Sequence, residues 1–311
     1  MAKFKTNHSQ NDNGMVYKAG IFAFIIGILY WGFNQIGGEE SSILDTFKEA
    51  MEQPASTDDT AGEISSDEGL AYALPTSTTG QIIEHKYYTL SYSEKHEQAE
   101  WVAYEITVDR LNNKIADRTD NFRPDPMVKT KSATPADYRR SGYTRGHLVP
   151  AGDMGFSEQA MSETFYMSNM SPQVRNQNMG IWRELEEQVR DWGRKYKHLY
   201  IVTGPILNEQ EFDRIGKNIV TVPRNYYKVI LDVTDPEYKG IGFIIPNAIS
   251  DEHLTEYAMT IDDVEERTGI DFFPNLLSEE LETELEGFVD VRRWKFSEKR
   301  YQQRVREWNN R

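Results

Sequence analysis

Residues 144–186 read TRGHLVPAGDMGFSEQAMSETFYMSNMSPQVRNQNMGIWRELE. The stretch gathers one histidine (His147), an arginine two residues before it (Arg145), two asparagines (Asn169 and Asn178), a glutamine (Gln173) and a carboxylate (Glu186). The run from Asn178 onward has helical periodicity. Residues four apart on a helix lie almost one above the other, so Asn178, Trp182 and Glu186 would share a face. An amide oxygen and a carboxylate on one face, beside a histidine and an arginine, suit a hard cation next to a general base. Oxygen donors favour Mg²⁺ or its substitute Mn²⁺ over zinc. Such a pairing serves hydrolysis of a phosphodiester. Each residue also has a plainer reading: Asn178 as a helix cap, Glu186 as an exposed helix carboxylate, Trp182 as core. His147 is one of six histidines, with His8, His85, His96, His198 and His253. It alone follows Arg-Gly.

The motif as a whole resembles the DNA/RNA non-specific endonucleases. The residues that carry the resemblance are Thr144-Arg145-Gly146-His147, then Ser168-Asn169-Met170-Ser171-Pro172-Gln173, then Asn178 through Trp182 to Glu186. Several motifs in fixed order are far more specific than any one of them. Thr144 departs from the family's aspartate, which bears on how Arg145 is braced. The resemblance implies a ββα-metal (His-Me finger) domain with antiparallel sheets and flanking helices. It implies His147 as general base and Asn178 as the direct protein ligand of Mg²⁺. Glu186 would reach the ion through a bound water, with Asn169 and Gln173 orienting its surroundings. Arg145 and a second arginine from the preceding loop would meet the charge on phosphate. Arg123 in NFRPDP is the choice here, with Arg118 its rival. DNA and RNA would be gripped through the backbone, without sequence readout, and a homodimer is compatible with the family.

Composition bounds the rest. The 311 residues carry a formal net charge of −15, which does not advertise a nucleic-acid binder. The excess is uneven: residues 39–83 hold ten acids against Lys48 alone. A substrate feels the local field of a cleft more than the total charge. Cysteine is absent, which excludes disulfides, thiolate metal sites and a cysteine nucleophile.

Residues 19–38 run without a charge, long enough to cross a bilayer as a helix. Lysines precede them and acids follow. The flanks predict a cytoplasmic tail over 1–18, an uncleaved anchor over 19–38 and a nuclease domain outside the cytoplasm, periplasmic or extracellular. A cleaved signal peptide, giving a secreted enzyme, is the competing reading. Residues 39–83 read as an acidic, disordered linker. A nuclease domain is expected over 84–295 and a basic, solvated tail over 296–311.

Within the domain, aromatic and β-branched runs at 85–93, 101–108, 198–207, 219–233 and 240–248 predict strands, the fourth interrupted near Pro223. Residues 109–140 read as a long polar loop. Thr-x-x-Asp at 260–263 announces a short helix. Strands and helices without a βαβ rhythm argue for α+β. Two functions compete with an endonuclease: a catalytically weak protein that holds nucleic acid at a membrane, and a phosphodiesterase for another substrate.

Overall fold

The computed structural model describes residues 70–310, except 72, 77, 210, 211 and 235. The expected tail 1–18, anchor 19–38 and most of the linker lie outside the described residues. Among the described residues no helix is long and apolar enough to cross a membrane.

The strands are β1 (Gln81–Glu84), β2 (Tyr88–Ser93), β3 (Gln98–Thr107), β4 (Thr144–His147), β5 (Met170–Gln173), β6 (His198–Pro205), β7 (Asp213–Ile215), β8 (Val220–Val222), β9 (Asn225–Asp232), β10 (Lys239–Pro246) and β11 (Ala258–Met259). Seven form one antiparallel sheet in the order β1-β2-β3-β6-β9-β10-β11. The helices that matter below are α1 (Arg183–Tyr196), α2 (Ile261–Thr268), α3 (Glu279–Glu286) and α4 (Glu298–Gln303). The α+β reading holds, and so does the interruption at Pro223, which separates β8 from β9.

Side chains alternate along a strand, so the central strands feed two cores at once. From β3, Val102, Tyr104 and Ile106 enter one core, which takes Leu185, Val189 and Trp192 of α1. Trp101 and Ala103 enter the other, which takes Ile261 and Val264 of α2 and Leu285 of α3. The sheet is therefore a middle layer. A separate two-stranded ribbon, β4–β5, is set apart from it and runs into α1 through a helical turn at Arg175–Gln177.

Two expected boundaries move. The 83/84 edge of the linker falls inside β1; Ala73 is already buried, and Thr76 bridges to Asp271. Residues 296–311 do not form a solvated tail. Fully buried Arg304 donates to the Glu184 carboxylate on α1 and to the carbonyl oxygens of Ser250 and Glu252. Arg300 holds Glu187 and Asp191 of α1 at 3.2 and 2.6 Å. Arg300 and Arg304 face α1's acidic side, which charge counting along the chain could not show. The long polar region 109–140 is also partly ordered, with short helices at Val108–Asn112 and Pro135–Tyr138.

Arg304→Met should strand a buried Glu184 carboxylate and cost about 3–5 kcal/mol of unfolding free energy. Adding Glu184→Leu should recover most of that loss. Denaturant unfolding of the single and double variants checks it; equal loss in both would show that packing, not the ion pair, sets the cost.

Candidate active site

The ribbon fixes the first half of the site. In its register Thr144 lies opposite Gln173 and His147 opposite Met170. Gly146 has no room for a side chain: a Cβ there would fall 2.0 Å from Gln173 Oε1. The backbone after His147 is tied to Asn169, whose Oδ1 accepts from Val149 N–H at 2.9 Å while its Nδ2 donates to the carbonyls of Val149 and Thr164.

The second half is the helix entry, and it is not a regular helix. Asn178–Trp182 form a wider π-type turn, with Gly180 at φ −104°, ψ −110°. The even stride of four from Asn178 to Glu186 therefore crosses an irregular turn. A Cβ on Gly180 would meet Asn309 Oδ1 at 2.6 Å, so the chain's C-terminal segment presses on the bulge. Both Asn178 and Glu186 nonetheless reach one cleft of about 470 Å³, together with Arg118, Arg145 and His147.

Thr144 joins the halves. Its hydroxyl donates to the Gln173 carbonyl and accepts from Asn178 Nδ2, each at 2.9 Å. With its nitrogen spent on Thr144, the Asn178 carboxamide has its oxygen free for a cation. Glu186 supplies a carboxylate on the same cleft wall, and burial pushes its pKa up against the opposing pull of Arg190 and Lys228. An amide oxygen and a carboxylate are hard donors, so the residues present fit a hydrated Mg²⁺-type ion.

His147 is largely buried. Burial first, then the charges of Arg118 and Arg145, hold its pKa down to about 3. Its ring stands edge-on to Phe165, with centroids 5.0 Å apart. Phe122 also approaches the imidazole, at 5.8 Å. These two rings seat the arginines: Arg145 lies over Phe122 at 3.9 Å and Arg118 over Phe165 at 5.0 Å. A ring contact holds a guanidinium in place without neutralising it; Arg118 is also paired with Asp120 at 2.8 Å.

Three expected positions are corrected. Arg123 is not in the cleft; it donates to the Ser162 carbonyl at 2.9 Å and to Ser162 Oγ at 3.1 Å, and lies over Tyr166. Arg118, the rival, takes the cleft position, because the loop turns back at Phe122 to stack its ring against Phe165. Asn169 is fully buried and braces the loop after His147, without facing the cleft. Gln173 is likewise buried, under Gly146. Trp182 is core, as expected.

Arg183 and Arg190 also line the cleft and were missed. Arg190 continues the stride from Glu186, and that spacing could have found it. It is held by Asp153 at 2.8 Å. Four arginines and two glutamates (Glu186 and Glu187) thus line the cleft of an acidic chain. Such a lining suits an anionic phosphate beside a hard cation.

The chain belongs to the DNA/RNA non-specific endonuclease family, whose profile matches residues 65–279. That family is one of metal-dependent hydrolases. The chain is 38% identical over 228 residues to the mitochondrial nuclease EXOG of Danio rerio, covering 68% of this chain and 65% of that protein. It is 34% identical over 220 residues to mitochondrial endonuclease G of Homo sapiens, covering 67% and 73%. The match thus spans just under two thirds of the zebrafish protein's length. A crystal structure of an EndoG/EndoGI complex superposes with a TM-score of 0.62 at 32% identity, covering 68% of this chain and 91% of that one. The expected placement outside the cytoplasmic membrane is overturned by these findings. Both of these relatives are named as mitochondrial.

Thr144→Val keeps the shape of the side chain and leaves the Gln173 carbonyl and the Asn178 amide without their shared partner. It should cost about 1–3 kcal/mol of stability, while Thr144→Ser stays near wild type. Thermal and denaturant unfolding of both variants test this; a Val variant as stable as Ser would remove the hydroxyl from the site's framework.

Proposed function

We propose that the chain is a Mg²⁺-dependent, sequence-non-specific endonuclease. It hydrolyses phosphodiester bonds of DNA and RNA to 5′-phosphate ends through a ββα-metal site. The observation that carries this is the convergence of His147, Arg145, Arg118, Asn178 and Glu186 on one basic cleft, delivered by a ribbon and the helix that follows it.

Phosphoryl transfer asks mainly for positioning and charge stabilisation. His147 is neutral at physiological pH, so its ring can take a proton from a water aligned on phosphorus. A phosphate entering between Arg118 and Arg145 offsets the two charges that depress the imidazole, making it a stronger base once substrate is bound. The two guanidiniums then face the negative charge that grows in the transition state. Asn178 would hold the ion through its oxygen, and Glu186 would orient it through water. When bound, the ion supplies charge stabilisation at the phosphate and at the departing 3′-oxygen. None of these groups reads a base, which agrees with low sequence preference.

Against the reading as a weak, non-cutting binder stands the survival of the base and both oxygen donors in one cleft. A phosphodiesterase acting on other substrates would use the same groups, and cleavage assays over duplex DNA, single strands and RNA separate the two.

His147→Ala should lower turnover by roughly two to four orders of magnitude and leave the half-activating Mg²⁺ concentration unchanged, as read by plasmid nicking. Near-normal cleavage would take the imidazole out of the mechanism.

Asn178→Ala should raise the Mg²⁺ requirement and be partly rescued by excess ion. In the wild type the requirement should itself depend on pH. Burial holds the Glu186 carboxyl above the usual glutamate range, so protons compete with the ion as pH falls. The half-activating Mg²⁺ concentration should therefore climb from about pH 8 to about pH 6, where an ordinary glutamate is already ionised. Glu186→Gln should flatten that slope. A slope unchanged by the substitution would assign the titration to another group.

A further inference from the structure

The face of the sheet opposite α1 carries a second set of hard donors. Asp262 and Glu265 stand three residues apart on α2, and Glu286 ends α3. One carboxylate oxygen from each lies within 4.8 Å of the other two. Acidic clusters on a surface are common and by themselves mean little. Here one member is different: Glu286 is only 2% exposed, one of its carboxylate oxygens lies in the group, and its Oε1 is enclosed without a hydrogen-bond partner. The charges acting most strongly on it, from Glu265, Glu282, Asp262 and Asp271, are all negative. Glu265 is fixed in orientation, its Oε1 accepting from the Phe272 N–H at 2.6 Å.

We propose that Asp262, Glu265 and Glu286 bind a divalent cation of the Ca²⁺ type, at a site separate from the cleft, which ties α3 to α2. A buried carboxylate needs a counter-charge or a proton. One proton answers one carboxyl and leaves the others facing each other; a divalent ion answers the convergence as a whole. Burial first, then the acidic neighbours, pushes Glu286 up to about 9 and Glu265 to about 7. The spacing fits. Oxygens on opposite sides of Ca²⁺, each at about 2.3–2.6 Å, are separated by about 4.6–5.2 Å. Carboxylate oxygens select a hard ion over zinc or copper, and Ca²⁺ tolerates irregular, crowded carboxylates better than Mg²⁺, which keeps its waters.

The location gives the ion a mechanical role. α2 and α3 lie on bare backbone of β10: a Cβ on Gly240 would fall 2.7 Å from the Leu285 carbonyl, and one on Gly242 would fall 2.6 Å from Val264 Cγ2. Two helices crowded onto one strand bring their acids together, and a cation at the junction fixes α3 against the sheet.

The test uses the full chain in an Asn178→Ala background, so that the proposed catalytic ion contributes nothing. Thermal unfolding and calorimetric titration with CaCl₂ alone should show a Tm raised by several degrees and saturable binding. Glu286→Gln and Glu265→Gln should each abolish both signals. Glu286→Gln should leave the Ca²⁺-free Tm near that of the parent, because a carboxyl pushed up to about 9 is already protonated at neutral pH, and that Tm shows that the variant folds. A Tm indifferent to Ca²⁺ that climbs on acidification would mean that a shared proton satisfies the cluster, and would overturn the proposal. So would a Ca²⁺ response that survives Glu286→Gln.

Discussion

A single hydroxyl couples the two pieces that make this site. Thr144 gives its proton to the Gln173 carbonyl within the ribbon and takes one from the Asn178 amide at the helix entry. A two-stranded ribbon of four-residue strands is marginal in water and must borrow order from its surroundings. It does so through buried polar contacts, with the main sheet where Ser171 Oγ meets Tyr226 Oη at 2.7 Å and donates to Gln98 at 2.5 Å, and with the short helix Pro135–Tyr138, whose Tyr138 donates to the Met170 carbonyl. The sheet thus sets the ribbon, the ribbon sets Thr144, and Thr144 sets the amide. Hydroxyl and aspartate differ here in one respect. A carboxylate could accept from Asn178 but could not donate to Gln173.

The cleft's electrostatics run against the chain's total. The net charge is −15, yet four arginines line the groove. Aromatic faces help to seat the two beside the histidine, Arg145 on Phe122 and Arg118 on Phe165. A ring holds a guanidinium while leaving its charge available; Arg118 is in addition paired with Asp120 at 2.8 Å. Other acids of the region have partners of their own. Asp153 pairs with Arg190, and Asp125 accepts from His85 and Ser168.

The chain's last thirty residues lie beyond the family profile, which ends at 279, and yet they bear on the site. Arg304 and Arg300 grip α1, Arg183 of α1 lies over Trp308 at 4.1 Å, and Asn176 Nδ2 donates to the Asn309 carbonyl at 2.9 Å. With Asn309 against Gly180, the irregular turn that carries Asn178 is braced from outside. A π-type turn is a costly local geometry that persists where packing fixes it.

Read without a structure, residues 144–186 yield the histidine, the amide and the carboxylate that meet in one cleft, because ordered motifs encode the local geometry of ribbon and helix. Strand runs and the Thr260 cap are legible for the same reason: they depend on neighbours a few residues away. What was not legible depends on contacts distant in sequence. The choice of Arg118 over Arg123 follows from a loop folding back onto Phe165, forty-odd residues downstream. The burial of Asn169 and Gln173 away from the cleft follows from which side of the ribbon faces the sheet. The docking of a supposedly solvated basic tail follows from acids on α1 that lie more than a hundred residues earlier. Side-chain chemistry and short-range periodicity belong to the sequence. Which charges meet, and which polar groups face the cleft or hide beneath it, is decided only when the chain closes on itself.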